Sequence, residues 1–142
     1  NLIAGGRRLR REGGAAVLGT RSLDHIQAAG GEHWVVDSVR NPAEVQALRA
    51  APSFTLLDVC ADAETRYDRV RARNRGGDAA SFAEFLRQEE AELNSTDAAA
   101  QQLIATAALA DVRVENNGDL DALHGALAAA YPEIDALPVD KP

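Results

Sequence analysis

The spacing of apolar positions divides the chain into helical stretches and short apolar runs. Residues 2–11 carry apolar side chains among a dense run of arginines, and Gly13-Gly14 stops them, so a short helix or the end of a longer one is expected. Over Ala15–Ala29, Val17, Leu18, Leu23 and Ile26 recur at helical spacing until Gly30-Gly31. His33–Asp37 follows, apolar without alternation at Trp34, Val35 and Val36, as suits a short parallel strand covered on both faces. Asn41 and Pro42 then read as the cap and first residue of a helix to about Ala51, with Val45 and Leu48 on its buried face.

The same grammar repeats. Phe54–Cys60 predicts a second strand, and Asp62 can cap a helix from Ala63 to about Asn74, broken by Arg75-Gly76-Gly77-Asp78. Ser81-Phe82-Ala83-Glu84 has the capping-box pattern and opens a helix to about Leu93. A loop over Asn94–Asp97 precedes a helix near Ala98–Leu109, and Asp111–Asn116 predicts a third strand. Asn116-Asn117-Gly118 turns the chain, by a type I′ or similar turn, into a last helix from Leu120 to about Ala130.

Strands alternating with helices imply an α/β fold, a parallel sheet between helical layers. Residues 1–130 are expected to form this domain and 131–142, with three prolines, a tail or linker. Three strands make a small open sheet, which a further strand upstream of Asn1 would enlarge.

Composition narrows the partners. Apolar residues are 46% of the 142 but aromatics only 4%, so alanine, leucine and valine must supply the core. A net charge of −7 argues against a nonspecific nucleic-acid binder, which needs a broad basic surface. Small anions remain open, and 14 of the 15 basic residues are arginine. The single cysteine, Cys60, forms no intramolecular disulfide and reads as a buried small hydrophobe. With no apolar run of membrane-spanning length and no signal peptide, a cytoplasmic protein without a membrane partner is expected. Alanine-rich helices also permit a homo-oligomer.

In open parallel sheets ligands bind at the carboxyl ends of the strands. Three edges qualify: Asp37–Asn41, Cys60–Glu64 and Asn116–Asp119. Asp37 sits where an acid can hold Mg²⁺ through water, or is simply a turn residue; Arg40 and the start of the helix at Pro42 could hold an anion. Arg66, Arg69, Arg71, Arg73 and Arg75, with Arg87 on the next helix, form a ladder that is either a solvated face or a set of groups closing over phosphates. Asn116 and Asn117 either only build a turn or read the edge of a nucleobase. His25, His33 and His124 lie in separate elements without ligand spacing.

The succession VVDSVRNPAEVQALR, FTLLDVCADAETRYDRVRARNR, SFAEFLRQEEAELN and AAQQLIATAALADVRVENNGDLDALH resembles the P-loop nucleotide-kinase-like family related to dephospho-CoA kinase and adenylate kinase. It is most similar to the kinase-like region preceding the catalytic domain in some deoxycytidylate-deaminase-type proteins. The resemblance implies a three-layer α/β/α, P-loop NTPase-like fold that here lacks its first strand and P-loop. It implies ATP or another nucleotide with Mg²⁺ as ligands. Asp37 matches the catalytic acid that holds the metal through water, and Arg40 lies in the substrate-side segment. Arg71, Arg73 and Arg75 match lid arginines, with Arg87 added to them, and Asn116, Asn117 and Gly118 match the loop near the base.

The phosphate-cradling G-x-x-x-x-G-K-[S/T] loop is not in this sequence: Gly5-Gly6, Gly13-Gly14 and Gly30-Gly31 are not followed by lysine, and Lys141 lies in the tail. The family would place that loop upstream of Asn1. Two functions follow from the resemblance: a nucleotide- or phosphate-ligand-binding domain that transfers phosphoryl groups only with an upstream P-loop, or a non-catalytic nucleotide-sensing domain fused to a deaminase.

Overall fold

A computed structural model of the chain describes residues 2–73, 81–93, 97, 99 and 101–132. In chain order the elements are α1 (Leu2–Gly13), α2 (Val17–Ala29), α3 (Pro42–Leu48), β1 (Leu57–Cys60), α4 (Ala63–Arg73), α5 (Phe82–Leu93), α6 (Leu103–Ala107), β2 (Val112–Glu115) and α7 (Leu120–Ala130). They group into two compact units, one of residues 1–56 and 86–110, the other of residues 57–85 and 111–142.

In the first unit α3 packs on α2, and Val45 and Leu48, 0% and 2% exposed, form its core. The approach is close because Gly19 of α2 lacks a side chain: a Cβ there would lie 2.7 Å from the Glu44 carbonyl oxygen. Asn41 caps α3 as expected, its side chain accepting from Ala43 N at 3.0 Å. The helix ends at Leu48 rather than Ala51, and Phe54 N bonds back to Ala51 O at 3.2 Å, so the following strand starts at Leu57 instead of Phe54.

The second unit is built on β1 and β2, which pair in parallel from Leu57↔Val112 to Cys60↔Glu115. Val114 is buried at 4% exposure, whereas Val59 on the neighbouring strand is 48% exposed. Tyr67 of α4 meets Phe82 and Phe85 of α5 with ring centroids 5.3 and 5.5 Å apart, an aromatic cluster made between the two helices. Ser81 caps α5, its hydroxyl accepting from Glu84 N at 3.2 Å. The structure is therefore mixed helix and sheet with a two-stranded parallel sheet among the described residues.

Four expectations are corrected. His33–Asp37 is not a strand: Val35 is 93% exposed and Trp34 44%, and no described strand pairs with the segment. Trp34 instead folds back on the end of α2, its indole N–H donating to Gly30 O at 3.1 Å and its ring meeting His25 edge-on. The chain leaves that corner through Gly30, Gly31 and Ser38, all at positive φ. The expected helix over Ala98–Leu109 is cut to Leu103–Ala107, because Gln102 is non-helical and its N–H bonds to Arg40 O at 2.9 Å. Asn116-Asn117-Gly118 is not a type I′ turn, since none of the three has positive φ. Cys60 is half-buried rather than buried, its sulfur 3.1 Å from the Arg113 Nε that donates to it.

Candidate functional site

The parallel pair sends both strands out at one edge, which Asn116 extends by donating its N–H to Cys60 O at 2.7 Å. Asn117 does not point its amide oxygen outward to read a ligand: Oδ1 accepts from Asp62 N at 2.8 Å, tying the two strand exits together. Asn116 and Gly118 are held from outside the loop, by Arg69 of α4. Its Nη1 donates to Asn116 O at 2.6 Å and its Nη2 to Gly118 O at 2.9 Å. A planar fork with two parallel donors suits this bridging of two carbonyls.

Asp119 then caps α7, its Oδ1 accepting from Ala122 N at 2.9 Å. Gly118 permits the tight entry, because a Cβ there would stand 3.0 Å from the Ala122 Cβ. The result is an open pocket of about 590 Å³ lined by Arg69, Asn116, Gly118, Asp119, Leu120 and Asp121. Leu120 is 70% exposed and gives this pocket an apolar wall.

Of the arginine ladder, Arg66 donates to Ala61 O and Arg69 clamps the loop, so these two are occupied by main-chain carbonyls. The Arg71 guanidinium lies 5.7 Å from the centre of the Tyr67 ring. Arg73 and Arg87 are exposed, and Arg75 lies outside the described residues. On the strand face the Arg113 guanidinium donates to the Cys60 sulfur, a contact that raises its pKa above the ordinary arginine value, with Asp58 3.7 Å away.

The Asp37–Asn41 turn belongs to the other unit and is built differently. Asp37 is exposed. Arg40 is half-buried, its Nη1 donating to Gln101 Oε1 at 3.2 Å and its main-chain N–H to Glu44 Oε2 at 3.0 Å. The other oxygen of Glu44 accepts from Arg10 Nε at 2.7 Å and lies 2.7 Å from Arg10 Nη2. Both members of that pair are buried, Arg10 at 6% and Glu44 at 2% exposure. The anion expected at the start of α3 finds no donor there: Pro42 has no N–H, Ala43 N is taken by the Asn41 side chain, and Glu44 N by Asn41 O at 3.0 Å.

Among the described residues no group of three or more His, Cys, Asp or Glu is placed to hold a metal. A lone exposed carboxylate such as Asp37 fits Mg²⁺ only in the mode that keeps several waters and borrows oxygens from ligand phosphates. No described helix is long and apolar enough to cross a membrane.

Sequence reasoning placed Arg69 in the arginine ladder but not on the Asn116–Gly118 loop, and passed over Asp121 and the Arg10–Glu44 pair. Asn41-Pro42-Ala43-Glu44 does carry a signal, an N-cap residue followed three positions later by Glu. Arg69 carries none, since its partners are carbonyls 47 and 49 positions away.

The chain is similar to UPF0200 proteins of archaea. It is 34% identical over 87 residues to one from Methanothermobacter thermautotrophicus, covering 61% of this chain and 46% of that protein. It is 31% identical over 115 residues to one from Staphylothermus marinus, covering 81% and 57%. A third, from Halobacterium salinarum, is 34% identical over 125 residues, covering 84% and 61%. The chain thus spans about half the length of the relatives it matches. Their names state no activity. No protein-family model and no solved structure matches the chain.

Proposed function

We propose that the chain is a nucleotide- or phosphate-ligand-binding part of a P-loop nucleotide-kinase-like protein, with the loop over Asn116–Asp121 on the base side of the ligand. One observation carries this reading: the carboxyl edge of a parallel strand pair opens on a pocket of about 590 Å³ whose walls combine the apolar Leu120 with Asn116 and two carboxylates. A flat heterocycle needs that combination, an apolar surface for its face and polar groups for its edge. Parallel α/β sheets bind ligands at this edge. The Arg69 bridge supports it further, because a loop held before the ligand arrives loses less entropy on binding.

In the full protein this reading makes the reaction an ATP-dependent phosphoryl transfer to a small acceptor, the phosphates being held by a lysine-bearing glycine loop that this sequence does not contain. By the resemblance, Asp37 is the residue proposed to hold Mg²⁺ through water, and Arg40, Arg71, Arg73, Arg75 and Arg87 are those proposed to bind phosphate. Asn117 joins the strand exits through its amide oxygen.

Isothermal calorimetry of the chain with ATP, the four dNTPs and dephospho-CoA, each with and without Mg²⁺, tests the reading. Saturable binding of at least one is expected. No heat with any of them contradicts it.

A further inference from the structure

The Arg10–Glu44 pair is buried in the first unit, whereas the pocket over Asn116–Asp121 is lined by residues of the second. Burying an ion pair is a poor way to add stability, since desolvation of both charges offsets most of their attraction. What distinguishes this one is the second oxygen of Glu44. Oε1 is taken by the Arg10 guanidinium, while Oε2 accepts the main-chain N–H of Arg40 at 3.0 Å. The peptide on the other side of Arg40 is fixed as well, its carbonyl accepting from Gln102 N at 2.9 Å. Gly19 keeps the Glu44 backbone against α2, where a Cβ would stand 2.9 Å from Glu44 Cα. Arg40 therefore has both main-chain polar groups held, and its guanidinium leaves the turn from a fixed root with one donor on Gln101.

We infer that Glu44 is a positioning residue for Arg40. Arg10 neutralises one oxygen of a buried carboxylate so that the other can fix the Arg40 backbone, and α1 thereby sets where the Arg40 guanidinium stands. The N–H groups opening α3 are occupied by Asn41, so the guanidinium is the group at this turn that meets an anion. That last step, an anionic ligand at Arg40, rests on the function proposed above; the control of the Arg40 backbone does not.

Removing Arg10 alone would strand a buried charge and unfold the unit, so the test uses two paired variants. Arg10→Met with Glu44→Gln removes both charges but leaves an amide oxygen that can accept from Arg40 N. Arg10→Met with Glu44→Met removes the charges and the acceptor together. Thermal midpoints establish that both fold. Hydrogen exchange at the Arg40 amide and the affinities for Mg·ATP and for pyrophosphate are then measured. Glu44→Gln is expected to keep Arg40 protection and affinity near wild type, and Glu44→Met to lose about tenfold in each, the factor carried by one hydrogen bond of ordinary strength. Equal Arg40 exchange in the two variants overturns the inference, as does equal affinity despite different exchange. A wild-type chain that binds neither probe counts against the proposed function instead, while the exchange comparison, which needs no ligand, still decides whether Glu44 sets the turn.

Discussion

Arg69 and Gly118 stand 49 positions apart in the chain and are joined by a 2.9 Å hydrogen bond from the guanidinium to the main-chain carbonyl. The same guanidinium bonds Asn116 O, so one side chain of α4 fixes the whole exit of β2. Arg69→Met is expected to destabilise the chain by about 1 kcal/mol, because charge-assisted bonds are strong but an exposed arginine competes with water. Arg69→Lys should recover only part of that loss, since an ammonium cannot span both carbonyls in one plane. Denaturant unfolding of the three proteins checks the order, and a lysine variant as stable as wild type would contradict it.

Two glycines within helices should respond oppositely to alanine. At Gly19 the new Cβ would meet backbone, 2.7 Å from Glu44 O, and backbone cannot step aside cheaply; Gly19→Ala should cost about 1–3 kcal/mol. At Gly125 nothing lies within 4 Å, so Gly125→Ala should stabilise by about 0.5–1 kcal/mol through helix propensity alone. The comparison is made by urea unfolding, and a Gly19→Ala variant at least as stable as wild type would refute the close α2–α3 contact.

These contrasts also mark what the sequence could and could not reveal. Caps are local, so Asn41 and Ser81 were readable from their own neighbours, and the helical spacing of α2, α4, α5 and α7 located those elements to within a few residues. A strand is defined by its neighbour. The apolar run at Trp34-Val35-Val36 has no pairing partner among the described residues, and Trp34 satisfies its N–H on Gly30 instead. The parts of the candidate site that escaped notice are those made by long-range bonds to main chain: Arg69 to Asn116 and Gly118, Glu44 to Arg40, Asp62 to Asn117. Charge and spacing do not encode such bonds, which exist only once the fold has brought the segments together.

Asp97 gives a pH signature. Its carboxylate accepts from Ala99 N at 2.9 Å and lies beside Arg7 and Arg11, and these contacts hold its pKa below the ordinary 3.8, the Ala99 bond most of all. A folded pKa below the unfolded one contributes stability that is complete above the unfolded value and is lost as pH falls through the folded value. Asp97→Asn should therefore be less stable than wild type at pH 7, and the difference in thermal midpoint should shrink as pH is lowered below about 4. A difference that stays constant down to pH 2 would show that the charge on Asp97 is not its source.

On the proposed reading the loop over Asn116–Asp121 receives the base of a nucleotide. Titration of ¹⁵N-labelled chain with ATP, following the backbone amides, is the decisive test. Saturable shifts concentrated at Asn116, Gly118, Asp119, Leu120 and Asp121 are expected, weakened in Arg69→Met. ATP that binds without moving those amides, or that moves none at millimolar concentration, would contradict it.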